Sequence, residues 1–189
     1  MSSYGRNGRK PAQAPGLGLA AALLLGSAAN AADQAHTFVL TAYSNGAGGA
    51  SLVSGEYGAA VKELGGHSHS FSVDASTVST NRCVAYSVTK QWDAARAACD
   101  AAVRDAQEDK ANLPTWMSWA RKRHNDYVAL AYSNRAVLHW LSNDMTSAAK
   151  DLAKAEALSP KADFVAHNLN ALHTRNGNAV AQVMVAPQS

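Results

Sequence analysis

The chain has 189 residues, long enough for one domain with a continuous core. Its 17 basic and 14 acidic side chains give a formal net charge of +3, and the excess equals the three cations Arg6, Arg9 and Lys10. From residue 32 onward 14 basic residues face 14 acidic ones, which excludes the broad cationic footprint of a nucleic-acid-binding domain.

Residues 1–31 read as a secretory signal peptide. A basic start precedes an 11-residue apolar run from Gly16 to Gly26, and Ala29-Asn30-Ala31 supplies a small-x-small cleavage site after Ala31. A membrane span takes about 20 residues, so no stable span is expected once the signal is removed. The mature protein is expected to be exported, to the periplasm if the source is bacterial.

Residues 32–46 form an extended lead-in. Thr37 to Tyr43 is rich in β-branched and aromatic residues and predicts a short strand, ended by Asn45-Gly46. From Ala50 to Leu64, interrupted at Ser54-Gly55, helical spacing sets Tyr57, Ala60, Val61 and Leu64 on one stripe. Gly65-Gly66 ends it, and residues 67–76 are a polar linker. Residues 77–90 and 93–106 form a second pair of helices. Asp93 is the expected cap, and the alanine-rich second helix is narrow enough for close packing.

An insertion at 107–125 follows, with Pro114 placed to start a helix. Trp116 and Trp119 are expected to cap the neighbouring core; exposed anchoring of a partner is the alternative. Arg121-Lys122-Arg123-His124 reads as a solvated face. Residues 126–142 and 145–158 form a third pair, turned at Asn143-Asp144 and closed by Ser159-Pro160. A single capping helix at 163–174 precedes the 175–189 tail. There, Ala179 to Val185 is a candidate strand for pairing with residues 37–43.

These segments repeat. Thr80-Asn81-Arg82-Cys83-Val84 returns 53 residues later as Ser133-Asn134-Arg135-Ala136-Val137. At the same offset Trp92, Ala95, Cys99 and Ala102 answer to Met145, Ala148, Leu152 and Ala155. Tyr57, Ala60 and Leu64 precede their counterparts by 35 residues. A period in the mid-thirties, with small residues seven apart, marks stacked helical hairpins. The expected fold is all-α: an antiparallel helical-hairpin solenoid of two to three repeats, with short β segments at the termini. The helical domain spans 47–174, with a weak unit at 47–66 and fuller units at 76–109 and 129–162. Both cysteines fall in one unit, on facing helices. In an oxidising compartment this favours a Cys83–Cys99 disulfide over two buried free thiols.

The units resemble the tetratricopeptide repeat (TPR). The unit from Ala129 to Ala162 carries Tyr132, Ala136, Ala148, Leu152, Ala155 and Pro160 at the motif's places. The earlier unit matches through Cys83, Trp92, Ala95, Cys99 and Ala102 and lacks the terminal proline; the first matches only through Gly55, Tyr57 and Ala60. The resemblance implies a concave groove that holds a partner's peptide or helix. Asn81 and Asn134 stand where the family often has asparagine, and Arg82 and Arg135 are candidates for the groove or its rim. Thr80 and Ser133 occupy the places of the lysines that complete a carboxylate clamp, so carboxylate capture is not expected.

Other chemistry is sparse. His67 and His69 lack a third ligand, His167 and His173 are six apart on a helix, and His139 takes a packing position. No nucleophile elbow, zinc-protease motif or phosphate loop is present. No cofactor, metal or catalytic residue is therefore expected. The function expected is a non-enzymic scaffold or adaptor that binds a peptide or protein partner, not nucleic acid. The alternatives are a structural or stress-related envelope protein and, from another class, a small periplasmic hydrolase.

Overall fold

The computed structural model describes residues 37–66, 75–174 and 183–188. The signal-peptide reading and residues 67–74 of the expected linker lie outside them, and Ala75 and Ser76 are helical instead. Helix dominates: α1 (Gly49–Val53), α2 (Tyr57–Gly65), α3 (Ala75–Val88), α4 (Trp92–Asn112), α5 (Ser118–Leu141), α6 (Met145–Leu158) and α7 (Asp163–His173). Strand β1 (Phe38–Ala42) precedes them and β2 (Val183–Pro187) follows. Helices α3 with α4, and α5 with α6, are the most extensively packed pairs; α4 packs on α5, and α7 lies against α5 and α6.

The sequence repeat is a repeat of turns. Helices α1, α3 and α5 each end at a residue in the left-handed region: Gly55 (φ 82°), Lys90 (φ 58°) and Asn143 (φ 63°). At each, the next amide reaches back along the helix: Glu56 to the Ser51 carbonyl, Gln91 to Tyr86, Asp144 to His139. The left-handed residue's own amide bonds a nearer carbonyl, at Leu52, Ser87 and Trp140. This paired closure satisfies helix-end carbonyls and reverses the chain sharply. The next helices then begin at Tyr57, Trp92 and Met145. The small and medium residues that follow, Ala60, Ala95, Ala148 and Leu64, Cys99, Leu152, are all fully buried. Close helix approach requires small side chains at such crossings, and the first unit is the same device with its first helix cut to five residues.

Cys83 on α3 and Cys99 on α4 stand at disulfide distance, with Cα atoms 4.5 Å apart. Both are fully buried with Ala95 and Leu138. The staple therefore ties the two helices of one hairpin at the layer where the next hairpin uses Ala136 and Leu152.

Strand β1 is buried along its whole length. Its alternate side chains Phe38, Leu40 and Ala42 enter one core with Val84, Val137 and Ala171, which hold equivalent places on α3, α5 and α7. Leu52, Ala60 and Leu64 close that core from α1 and α2. Phe38 also stacks on Trp140, ring centroids 4.5 Å apart. Full burial of a side chain the size of Phe38 or Leu40 contributes about 1.5–3 kcal/mol, so the strand belongs to the core. Strand β2 lies parallel to β1, with Leu40 opposite Val185, so Val183–Pro187 pairs with Phe38–Ala42; residues 179–182 of the expected strand lie outside the described residues. After β1 the chain doubles back tightly: a Cβ at Gly49 would collide with the Tyr43 carbonyl.

Three local expectations change. Asp93 does not cap α4; Gln91 is its N-cap, and Asp93 instead pairs with Arg96 at 2.7 Å. Helix α5 begins at Ser118, not at Pro114, whose carbonyl accepts the Met117 amide within the turn. The insertion lengthens α4 and α5 into a projecting pair of helix ends. Trp116 and Trp119 are 76% and 66% exposed there, so they do not cap a core: the turn carries them beyond the last packed layer.

Candidate functional site

Helices α3 and α5 are the first members of successive hairpins and α7 follows them one repeat on, and each presents one buried asparagine to β1. Asn168 accepts the Val39 amide at 2.8 Å and donates to the Val39 carbonyl at 2.9 Å. Asn134 does the same with Thr41, both bonds 2.8 Å. Asn81 repeats the pattern at Tyr43, at 2.8 and 3.0 Å, and gives its second N–H to Ala47 across the turn. His167 extends the row by one place: its Nε2 donates to the Thr37 carbonyl at 2.6 Å. Residues 37, 39, 41 and 43 are thus read in order by α7, α5 and α3.

The chemistry follows from the strand's period of two. Alternate peptide groups point to opposite edges. One edge of β1 faces β2, where the Gln188 amide reaches the Ala42 carbonyl at 2.8 Å. The other edge would be unpaired in a dry core, at a cost of about 1–3 kcal/mol for each orphaned group. A carboxamide carries a carbonyl and an N–H, so it imitates the partner peptide group that a third strand would offer. All three asparagines are almost wholly buried, with 0–1% exposure. Asn168 also donates to Ser133 Oγ at 2.9 Å, joining α7 to α5.

Asn81 and Asn134, candidate groove residues by sequence, therefore line a groove that holds the chain's own strand. The two arginines do not join them there. Arg82 is buried and donates to the Leu64 carbonyl at 2.8 Å, fastening α3 to the end of α2. Arg135 grips Asp151 on α6 through two bonds at 2.7 and 3.1 Å and reaches Asp100 on α4 at 2.8 Å. Burial alone would lower the Arg135 pKa, but the bonds to Asp151 and Asp100 outweigh it and raise the value. At the strand's end, burial, reinforced by the neighbouring Tyr127 and Asp109, pushes the Tyr43 phenol far above its ordinary value.

Asn168 is the site residue that sequence reasoning missed. It follows Asn134 by one repeat period, but α7 has no partner helix among the described residues to complete a hairpin motif. The strand's role in the groove was equally hidden, because hydropathy marks it as buried without saying where.

A second cleft, about 560 Å³, lies between the strands and α7 and is lined by Asp126, Ser159, Lys161, Asp163 and His167, among others. Ser159 Oγ donates to Asp126 at 2.5 Å and His167 Nε2 to Thr37, so hydroxyl and imidazole are bonded to other groups. Among the described residues no cluster of three metal-ligating side chains occurs, and no helix is long and apolar enough to cross a membrane.

No family model, curated protein or solved structure matches the chain.

Proposed function

We propose that the chain is an exported, TPR-like scaffold for protein–protein interaction, working in the periplasm, whose groove reads extended peptide backbone. In the resting molecule residues 37–43 fill that groove. The reading rests on the asparagine row: it engages peptide groups along one edge of the strand, so the same groove suits an extended partner segment whose alternate side chains are apolar, as Phe38, Leu40 and Ala42 are. The buried Cys83–Cys99 pair suits an oxidising compartment.

A full-length Thr41→Pro variant tests this, because proline removes the amide that Asn134 accepts and loosens β1. A fluorescent peptide of the sequence 36–46 should bind this variant at least about tenfold more tightly than the wild-type chain. Adding Asn134→Ala should abolish the gain, since two hydrogen bonds to a buried peptide group are worth about 1–3 kcal/mol together. If peptide binds neither protein while both remain helical by circular dichroism, β1 is a permanent core strand. The structural envelope role then replaces the scaffold, a reading that the self-filled groove already favours over catalysis.

A further inference from the structure

The projecting α4–α5 turn has no part in the strand-filled groove. From Lys110 to His124 the chain carries four cations, Lys110, Arg121, Lys122 and Arg123, and no carboxylate. Trp116 and Trp119, the most exposed of the large hydrophobic side chains among the described residues, lie in the same stretch. On α5, Trp119 is followed by Lys122 and Arg123, three and four places on, which puts all three on one helix face. All three are exposed, whereas Ala120 behind them is buried. The turn is pinned: Arg121 Nη1 donates to the Lys110 and Leu113 carbonyls at 3.3 and 3.0 Å, closing the end of α4. Beside it, Lys110, Arg121 and Lys154 stand around a cleft of about 430 Å³ that includes Val128, Ala157 and Leu158. Cationic and apolar side chains thus line one cleft, with Lys154 also paired to Asp151.

We propose that this tip docks on an anionic lipid surface. Two observations select that partner. Indole rings with neighbouring lysine and arginine are the side chains that settle at the boundary between headgroups and acyl chains, where the ring is half-buried and the cations meet phosphates. The charge is also segregated. The chain beyond residue 31 is formally neutral, with 14 cations against 14 carboxylates, so four cations at the tip leave the remainder net acidic. An anionic surface would therefore attract the molecule tip first. The nearest acids along the chain, Glu108 and Asp109 on α4 and Asp126 on α5, form no ion pair with Lys122 or Arg123 among the described residues; Asp126 accepts from Ser159.

Sedimentation of the full mature chain with lipid vesicles tests the proposal. Vesicles of phosphatidylcholine with about 40% phosphatidylglycerol should bind the chain, and pure phosphatidylcholine vesicles should not. Each cation near such a surface is worth about fivefold in partitioning, so Lys122→Gln with Arg123→Gln should weaken binding about 25-fold. Trp116→Ala with Trp119→Ala should weaken it at least about tenfold while leaving the thermal melt unchanged, because both rings are exposed. Brominated acyl chains should quench the wild-type fluorescence and leave that of the double tryptophan variant, which keeps Trp92 and Trp140, unquenched. Binding to neither vesicle, equal binding to both, or binding that ignores the tryptophans would overturn the proposal. So would equally tight, tryptophan-dependent binding of a single-stranded oligonucleotide, which would assign the tip to nucleic acid.

Discussion

Replacing Asn134 by alanine should unfold the protein far more readily than an ordinary polar-to-alanine change. The side chain is 1% exposed and makes two bonds of 2.8 Å to one residue of β1. Its removal orphans the Thr41 amide and carbonyl in a dry core. At about 1–3 kcal/mol for each unsatisfied group, the loss is about 2–6 kcal/mol, a large part of the roughly 5–15 kcal/mol that holds a typical domain together. Asn134→Asp sharpens the test. An ionised carboxylate accepts the Thr41 amide but confronts the Thr41 carbonyl, while a protonated one donates to it as asparagine does. Burial and that carbonyl raise the folded-state pKa of the new carboxyl above its unfolded value of about 3.9. The neutral form's contribution is thus fully present below about pH 4 and is lost as pH rises through the raised folded pKa. Urea titrations followed by circular dichroism, with the disulfide intact, should show Asn134→Asp close to wild type near pH 3.5 and well below it at pH 7. Two results would refute the carboxamide-as-strand argument. One is a deficit for Asn134→Ala under about 0.5 kcal/mol, the low end for a single net hydrogen bond. The other is a pH-independent deficit for Asn134→Asp.

Other substitutions probe the hairpins. Non-reduced protein should show no reactive thiol in denaturant. Cys83→Ala with Cys99→Ala should lower stability by about 3 kcal/mol, since the bridge spans a sequence separation of 16. Lys90 holds a left-handed conformation without being glycine, so Lys90→Gly should stabilise the protein by about 0.5–1 kcal/mol in thermal melts. Gly55→Ala should cost about 1–2 kcal/mol, although its Cβ would meet nothing within 4 Å. Asp144 caps α6 by accepting the Ser147 amide at 3.0 Å, and that bond lowers its pKa. Its stabilising effect should be present above about pH 4, its unfolded value, and fade as pH falls through the lowered folded value. Melts of Asp144→Ala and wild type should therefore converge in acid; a constant gap would show that the cap is not the cause.

Sequence by itself determined the hairpin register. The internal echoes align Tyr57, Trp92 and Met145, which begin three helices, because close crossings repeat with the hairpin; the left-handed conformation of Gly55, Lys90 and Asn143 before them was seen only in the backbone. The facing cysteines and the two terminal strands were legible for the same local reasons. Tertiary structure alone decided what the groove holds. A carboxamide's partner is fixed by which chain segment arrives opposite it, and Val39 lies far from Asn168 in the chain; nothing local to either residue encodes that meeting. It also decided that Arg135 serves the hairpins and not the groove, and that Trp116 and Trp119 stand in solvent. Hydropathy assigns an indole to a core by default; only the length of α4 and α5 beyond their last packed layer leaves these two outside it.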